Sequence, residues 1–171
     1  MLRQSTAQKW LTVFSYYPVL IMQKGKFKTD GSIKAVFACK TGVKMPRPLI
    51  GQGVPAGFPS PAQDYIEGSL DLNEHLIKHP ASTFFLRADG NSMIGAGIFP
   101  EDLLVVDRSI EVENNDIVVA IYDSELILKR FRELDGEVWL CADNPEYPDL
   151  LVKNELDFHV WGVVTYVIHK L

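Results

Sequence analysis

Ser92 and Lys129 are the residues whose types and settings could do chemistry together. Ser92 stands in Ala88-Asp89-Gly90-Asn91-Ser92-Met93, directly after a strand-like run and inside a glycine-containing turn. A hydroxyl projects from such a turn, and adjacent backbone N–H groups can converge on one point, as an oxyanion requires. Lys129 lies in the run Glu125 to Phe131, where strand alternation puts Ile127, Lys129 and Phe131 on one face and Leu126, Leu128 and Arg130 on the other. A lysine flanked by apolar residues in a strand is either an edge-strand guard or a desolvated amine. Burial disfavours the ammonium, so a desolvated amine can act as a base. The pair would then work as a Ser-Lys dyad, the neutral amine taking the hydroxyl proton as the serine attacks a carbonyl. Each residue also has an ordinary reading, as turn serine and strand guard, and spacing alone does not choose.

The other reactive side chains point to less. His75 and His79 are four apart in a helical pattern and would share a face, but no third ligand has matching spacing, so helix-surface histidines are expected and no metal. Cys39 and Cys141 stand in no CxxC or CxxH spacing and are expected to be reduced thiols of a cytoplasmic protein. Gly51 and Gly53 lack the third glycine, lysine and following helix of a phosphate loop. No cofactor is expected.

The elements that must position the pair are mainly strands. Runs rich in Val, Ile, Phe, Tyr and Trp cover Thr83 to Arg87, Leu103 to Asp107, Ile117 to Tyr122, Glu125 to Phe131, Val138 to Cys141 and Phe158 to His169. Asp89-Gly90-Asn91, Asn114-Asn115-Asp116, Asp123-Ser124 and Asp135-Gly136 are turn clusters between them. A tight hairpin is expected across Asp123-Ser124. One short helix is expected from Asp71 to His79, opened by Asp71 and Glu74 as a capping box and stopped by Pro80. The fold class is therefore mainly β: a compact domain with one short helix and an extended N-terminal arm.

With 47% hydrophobic and 23% charged residues in 171, the chain has the composition of a globular domain, which excludes wholesale disorder. Its net charge of −5 hides a split. Residues 1–56 carry nine basic side chains against a single acid, Asp30, leaving eight of the 17 basic residues and 21 of the 22 acids to residues 57–171. Between Met45 and Pro61 the chain reads MPRPLIGQGVPAGFPSP, an extended linker that cannot hold a helix. The apolar stretch Trp10 to Met22 is interrupted by Ser15, Tyr16, Tyr17 and Pro18 and falls short of the ~20 residues that span a bilayer, so no membrane is expected. The basic arm reads as a solvated tail. Phosphate attraction could bring it to nucleic acid, but no helix-turn-helix pattern offers sequence-specific DNA binding.

Several ordered motifs together resemble one family. Gly57-Phe58-Pro59-Ser60-Pro61-Ala62-Gln63-Asp64-Tyr65, Leu70-Asp71-Leu72-Asn73, His79-Pro80, Gly90-Asn91-Ser92-Met93, Asp102-Leu103-Leu104-Val105-Val106-Asp107 and Leu128-Lys129-Arg130-Phe131 are similar to the UmuD-like branch of the LexA-type self-cleaving serine peptidases. The resemblance covers about residues 50–171. It implies a β-rich fold shared with LexA and the signal peptidases, Ser92 as nucleophile, Lys129 as general base and a single cut between Ala56 and Gly57. Residues 1–56 would be the arm and linker removed by that cut, and residues 57–171 the peptidase domain. Backbone N–H groups of Ser92 and Met93 are the expected oxyanion donors. The resemblance further implies a homodimer, cleavage stimulated by a RecA filament on single-stranded DNA during the SOS response, and a processed form that joins a UmuC-like Y-family polymerase in translesion synthesis. Asn91 stands where that branch carries aspartate, and the arm before Ala56 is roughly 30 residues longer than in its short members. The alternative reading is a non-enzymatic, dimeric polymerase-accessory module with a vestigial dyad.

Overall fold

The computed structural model describes residues 28–40, 42, 44–50, 66–153 and 158–171. Its centre is an eight-stranded sheet built from β1 (Ile33–Ala38), β4 (Thr83–Ala88), β5 (Leu103–Asp107), β6 (Ile117–Tyr122), β7 (Glu125–Leu134), β8 (Glu137–Cys141), β9 (Leu150–Leu151) and β10 (Phe158–Ile168). They run in the spatial order β1-β4-β5-β10-β6-β7-β8-β9, every neighbouring pair antiparallel. β2 (Arg47–Ile50) and β3 (Ile66–Leu70) form a separate antiparallel pair.

The central strands are continuous apolar runs because both faces of the sheet are covered. Val119, Leu126 and Leu128 join Ile33, Leu86, Leu104, Val106 and Trp161 in one buried cluster. Their alternates Val118, Ala120, Ile127 and Phe131 join Leu140, Phe158 and Val163 in another. β10 is long enough to pair with β5 on one edge and β6 on the other, and it shifts register at a bulge between Val160 and Gly162. The β6–β7 hairpin turns at Asp123-Ser124, both with positive φ (49° and 64°), the backbone of a turn whose twist matches its strands.

The sheet curls until the approach to β1 returns against β7. Leu126 N–H donates to the Lys28 carbonyl at 2.9 Å, Leu128 N–H donates to Ser32 Oγ at 2.8 Å, and Thr29 bridges Leu126 in parallel. β1 belongs to the stretch that its composition marks as a basic arm. Its lysine content hides a strand whose first residue, Ile33, is 1% exposed in the core.

The expected helix Asp71 to His79 is shorter in the structure, α1 spanning Leu72–Leu76. Asp71 caps it, its side chain accepting from Asn73 N–H, but Glu74 pairs with Lys44 instead of closing a capping box. Ile77 is already extended (φ −112°, ψ 93°), three residues before Pro80. His75 and His79 consequently do not share a helix face: His75 meets the Tyr166 ring at 5.7 Å, while His79 Nδ1 lies 2.6 Å from Asp107 Oδ2. No helix among the described residues is long and apolar enough to cross a membrane.

Candidate active site

Ser92 is carried by the turn that leaves β4, and the turn is fastened along its length. Asp89 N–H donates to the Ser32 carbonyl at 2.9 Å. Gly90 is left-handed (φ +66°), and a Cβ there would stand 3.1 Å from the Gly31 carbonyl oxygen, so both conformation and space favour glycine. The Asn91 carbonyl accepts from Asn144 Nδ2 at 2.9 Å. Met93, 2% exposed, anchors the far side in the core, and a 3-10 turn follows at Ile94–Ala96, where Gly95 N–H donates to the Asp143 carbonyl at 2.7 Å.

The hydroxyl so positioned has no partner among the described residues. Ser92 is 5% exposed, and its Oγ makes no hydrogen bond among the described residues. Leaving a buried hydroxyl unsatisfied costs about 1–3 kcal/mol, so its surroundings must impose the arrangement. The N–H groups of Ser92 and Met93 likewise donate to no backbone carbonyl among the described residues.

Lys129 sits opposite Val118 of β6, within a strand that has neighbours on both sides. It is 4% exposed, so it guards no open edge. Of the two sequence readings, the structure bears out the buried amine. Its Nζ lies 3.5 Å from Asp30 Oδ2 and 6.0 Å from the centroid of the Tyr147 ring.

Two segments adjoin both residues. Asp30–Ser32 reaches Lys129 through Asp30 and the Ser92 turn through Gly31 and Ser32. The loop between β8 and β9 reaches the Ser92 turn through Asp143 and Asn144, and Lys129 through Tyr147. Ser92 and Lys129 thus line one neighbourhood, without a hydrogen bond between their side chains. Arg130 fixes the second segment: Nε donates to both Asp143 oxygens at 3.0 Å, one terminal nitrogen reaches Asp143 as well, and the other donates to the Asn115 carbonyl at 2.6 Å. The hydrogen bonds that Arg130 gives Asp143 hold its guanidinium still more firmly protonated than usual.

Sequence reasoning singled out Ser92, Lys129 and Met93, which the structure places in buried positions. It missed Asp30, Ser32, Asp143, Asn144 and Tyr147, whose roles come from contacts between distant segments. The one available signal was that Asp30 is the sole acid in residues 1–56. Ala56 and Gly57 lie outside the described residues. Among the described residues no group of His, Cys, Asp and Glu could hold a metal. Both cysteines are free, Cys141 buried and Cys39 partly so, and burial raises both thiols above their ordinary pKa.

The curled antiparallel sheet sets a buried serine, on the turn after β4, and a buried lysine, within β7, against the same two segments, a framework that fits a β-rich peptidase domain. The chain belongs to the Peptidase S24-like family, which it matches over residues 48–165, and within it is UmuD-like. It is similar to protein SamA of Salmonella typhimurium, 44% identical over 128 residues that cover 75% of this chain and 89% of SamA. Protein ImpA of Escherichia coli is 46% identical over 125 residues, 72% of this chain and 84% of ImpA. The LexA repressor of Ectopseudomonas mendocina is 40% identical over 124 residues, 72% of this chain and 60% of the repressor.

Proposed function

We propose that the chain is a serine peptidase that cuts itself once, between Ala56 and Gly57, with Ser92 as nucleophile and Lys129 as general base. The observation that carries this reading is the buried Ser92 hydroxyl, which has no partner among the described residues yet stands among the same two segments as a buried lysine amine. A hydroxyl kept unsatisfied is free to give its proton to an arriving base.

In this mechanism the neutral Lys129 amine takes the Ser92 proton while Oγ bonds to the Ala56 carbonyl carbon. The Ser92 and Met93 N–H groups accommodate the developing oxyanion. The carbon–nitrogen bond then breaks, and the Lys129 ammonium returns its proton to the Gly57 nitrogen. Water, deprotonated by Lys129, releases Ala56 from the serine ester, and the proton goes back to Ser92. Small Ala56 and Gly57 suit a narrow site. The pairing of Ile50 with Ile66 closes the ends of the segment that contains them, which favours delivery of this bond over others in the chain.

The resemblance to UmuD extends the reading. The protein acts in SOS mutagenesis as a cytoplasmic homodimer, its cleavage is stimulated by a RecA filament on single-stranded DNA, and the product comprising residues 57–171 serves a UmuC-like Y-family polymerase in translesion synthesis. The experiment that tests the core of the proposal is incubation of purified protein at alkaline pH, which increases the neutral fraction of a lysine. A product beginning at Gly57 is expected, and Ser92→Ala or Lys129→Ala should slow its appearance by roughly a thousandfold or more. Undiminished cleavage in either variant, or an uncut wild-type chain, would leave the accessory-module reading in its place.

A further inference from the structure

The segment before β1 does more than complete the sheet. We propose that residues 28–32 form a built-in plug of the Ser92–Lys129 site, pairing with the β7 edge that a substrate strand would use and setting the Asp30 carboxylate against the Lys129 amine. The chain thereby restrains its own cleavage until the plug is displaced. This inference rests on the peptidase reading above.

β7 meets β8 only from Arg130 onward. The part of the same edge that leads up to Lys129 is taken by this segment, through Lys28 at Leu126 and Ser32 at Leu128. An extended peptide lying beside Lys129 would add to that edge through the same two N–H groups. Both are occupied.

Asp30 is the second element. Its Oδ1 accepts from Ser32 N–H at 2.9 Å and from Ser32 Oγ, which turns Oδ2 toward Lys129 at 3.5 Å. The ion pair engages the Lys129 amine at Asp30, while Ser92 Oγ has no hydrogen bond to it. Among the described residues no other carboxylate pairs with the amine: β6 presents Val118, the β8–β9 loop presents Tyr147, and Asp143 is engaged by Arg130. The only acid among the first 56 residues, in a stretch otherwise basic, is thus the one that meets the base. The segment lies outside the matched residues 48–165. It also precedes Ala56–Gly57, so a cut there would leave it bound to the body by non-covalent contacts alone.

The test is the pH–rate profile of self-cleavage in the full chain, for wild type, Asp30→Asn, Asp30→Glu and Ser32→Ala. Asp30→Asn is expected to cleave about tenfold faster near neutral pH. Ser32→Ala, which frees Leu128 N–H and removes one of the two hydrogen bonds that Ser32 gives Asp30, should move the same way, and Asp30→Glu should stay near wild type. A folded Asp30→Asn protein with the wild-type profile, or a slower one, overturns the proposal. Hydrogen exchange on the uncut wild-type chain needs no substitution: slow exchange at Leu126 and Leu128 is expected, and fast exchange there also overturns it. If wild type does not cleave even at alkaline pH, the peptidase reading fails, and the exchange measurement still reports on the plug by itself.

Discussion

The side-chain amide of Asn144 donates to the Asn91 carbonyl at 2.9 Å, tying the β8–β9 loop to the turn that carries Ser92. Asn144 is 5% exposed, and its Oδ1 accepts from Glu146 N–H at 3.0 Å, so the residue shapes its own loop while gripping the turn. Asn144→Ala would leave the Asn91 carbonyl with one long bond, from Ile94 N–H at 3.4 Å. A loss of about 1–2 kcal/mol is expected from a urea titration, together with slower self-cleavage. Unchanged stability would mean that the turn holds without the clamp.

Gly90 and Gly97 allow the close approach at the site to be separated from backbone conformation. Both are left-handed, at +66° and +76°, but a Cβ at Gly97 would meet nothing within 4 Å, whereas one at Gly90 would stand 3.1 Å from the Gly31 carbonyl. Gly97→Ala should cost the conformational penalty alone, about 1–2 kcal/mol. Gly90→Ala should cost more and should also disturb the Asp30–Ser32 segment. Equal melting temperatures for the two variants would show that Gly31 yields freely.

Arg130 is expected to tolerate lysine poorly. Its fork spans Asp143 and the Asn115 carbonyl, and a single ammonium cannot reproduce that geometry. Arg130→Lys should lose about 1–2 kcal/mol in chemical denaturation and slow cleavage, because Asp143 and Tyr147 share a loop whose position the fork sets. A rate equal to wild type would separate the loop's position from activity.

Much of the sheet was legible because its strands are buried on both faces and bounded by turn residues. Leu103–Asp107 and Ile117–Tyr122 have the ends their apolar runs imply, and Asp123-Ser124 makes the expected hairpin. β1 was not legible: Lys34 interrupts its apolar pattern, and the charge of its neighbours suggests a tail. β9, two residues long, and the isolated β2–β3 pair lack enough residues to show a period. Ser92 and Lys129 stood out as candidates from their immediate neighbours, and the family resemblance is what paired them. Asp30 could not be read this way, since the Ser32–Leu128 bond that helps to hold it there joins residues 96 apart.

His159 gives the fold a pH dependence of its own. Burial in β10 pushes its pKa below the ordinary histidine value, and the nearby Arg108 guanidinium lowers it further. Arg108 is itself held against the rings of Trp161 and Phe84 at 5.1 Å and 5.8 Å, with Nε donating to the Trp161 carbonyl at 3.3 Å, so the charge is fixed. Because the folded pKa is depressed, the unfolded chain binds a proton at His159 more readily than the folded one. The stability from this residue is therefore complete above the unfolded pKa of about 6.5 and falls away as pH drops through the interval down to the folded value. His159→Gln cannot be protonated and should show a smaller loss of stability than wild type between about pH 7.5 and about pH 5. Urea midpoints at the two pH values measure the difference, and equal losses in the two proteins would place the acid sensitivity elsewhere in the chain.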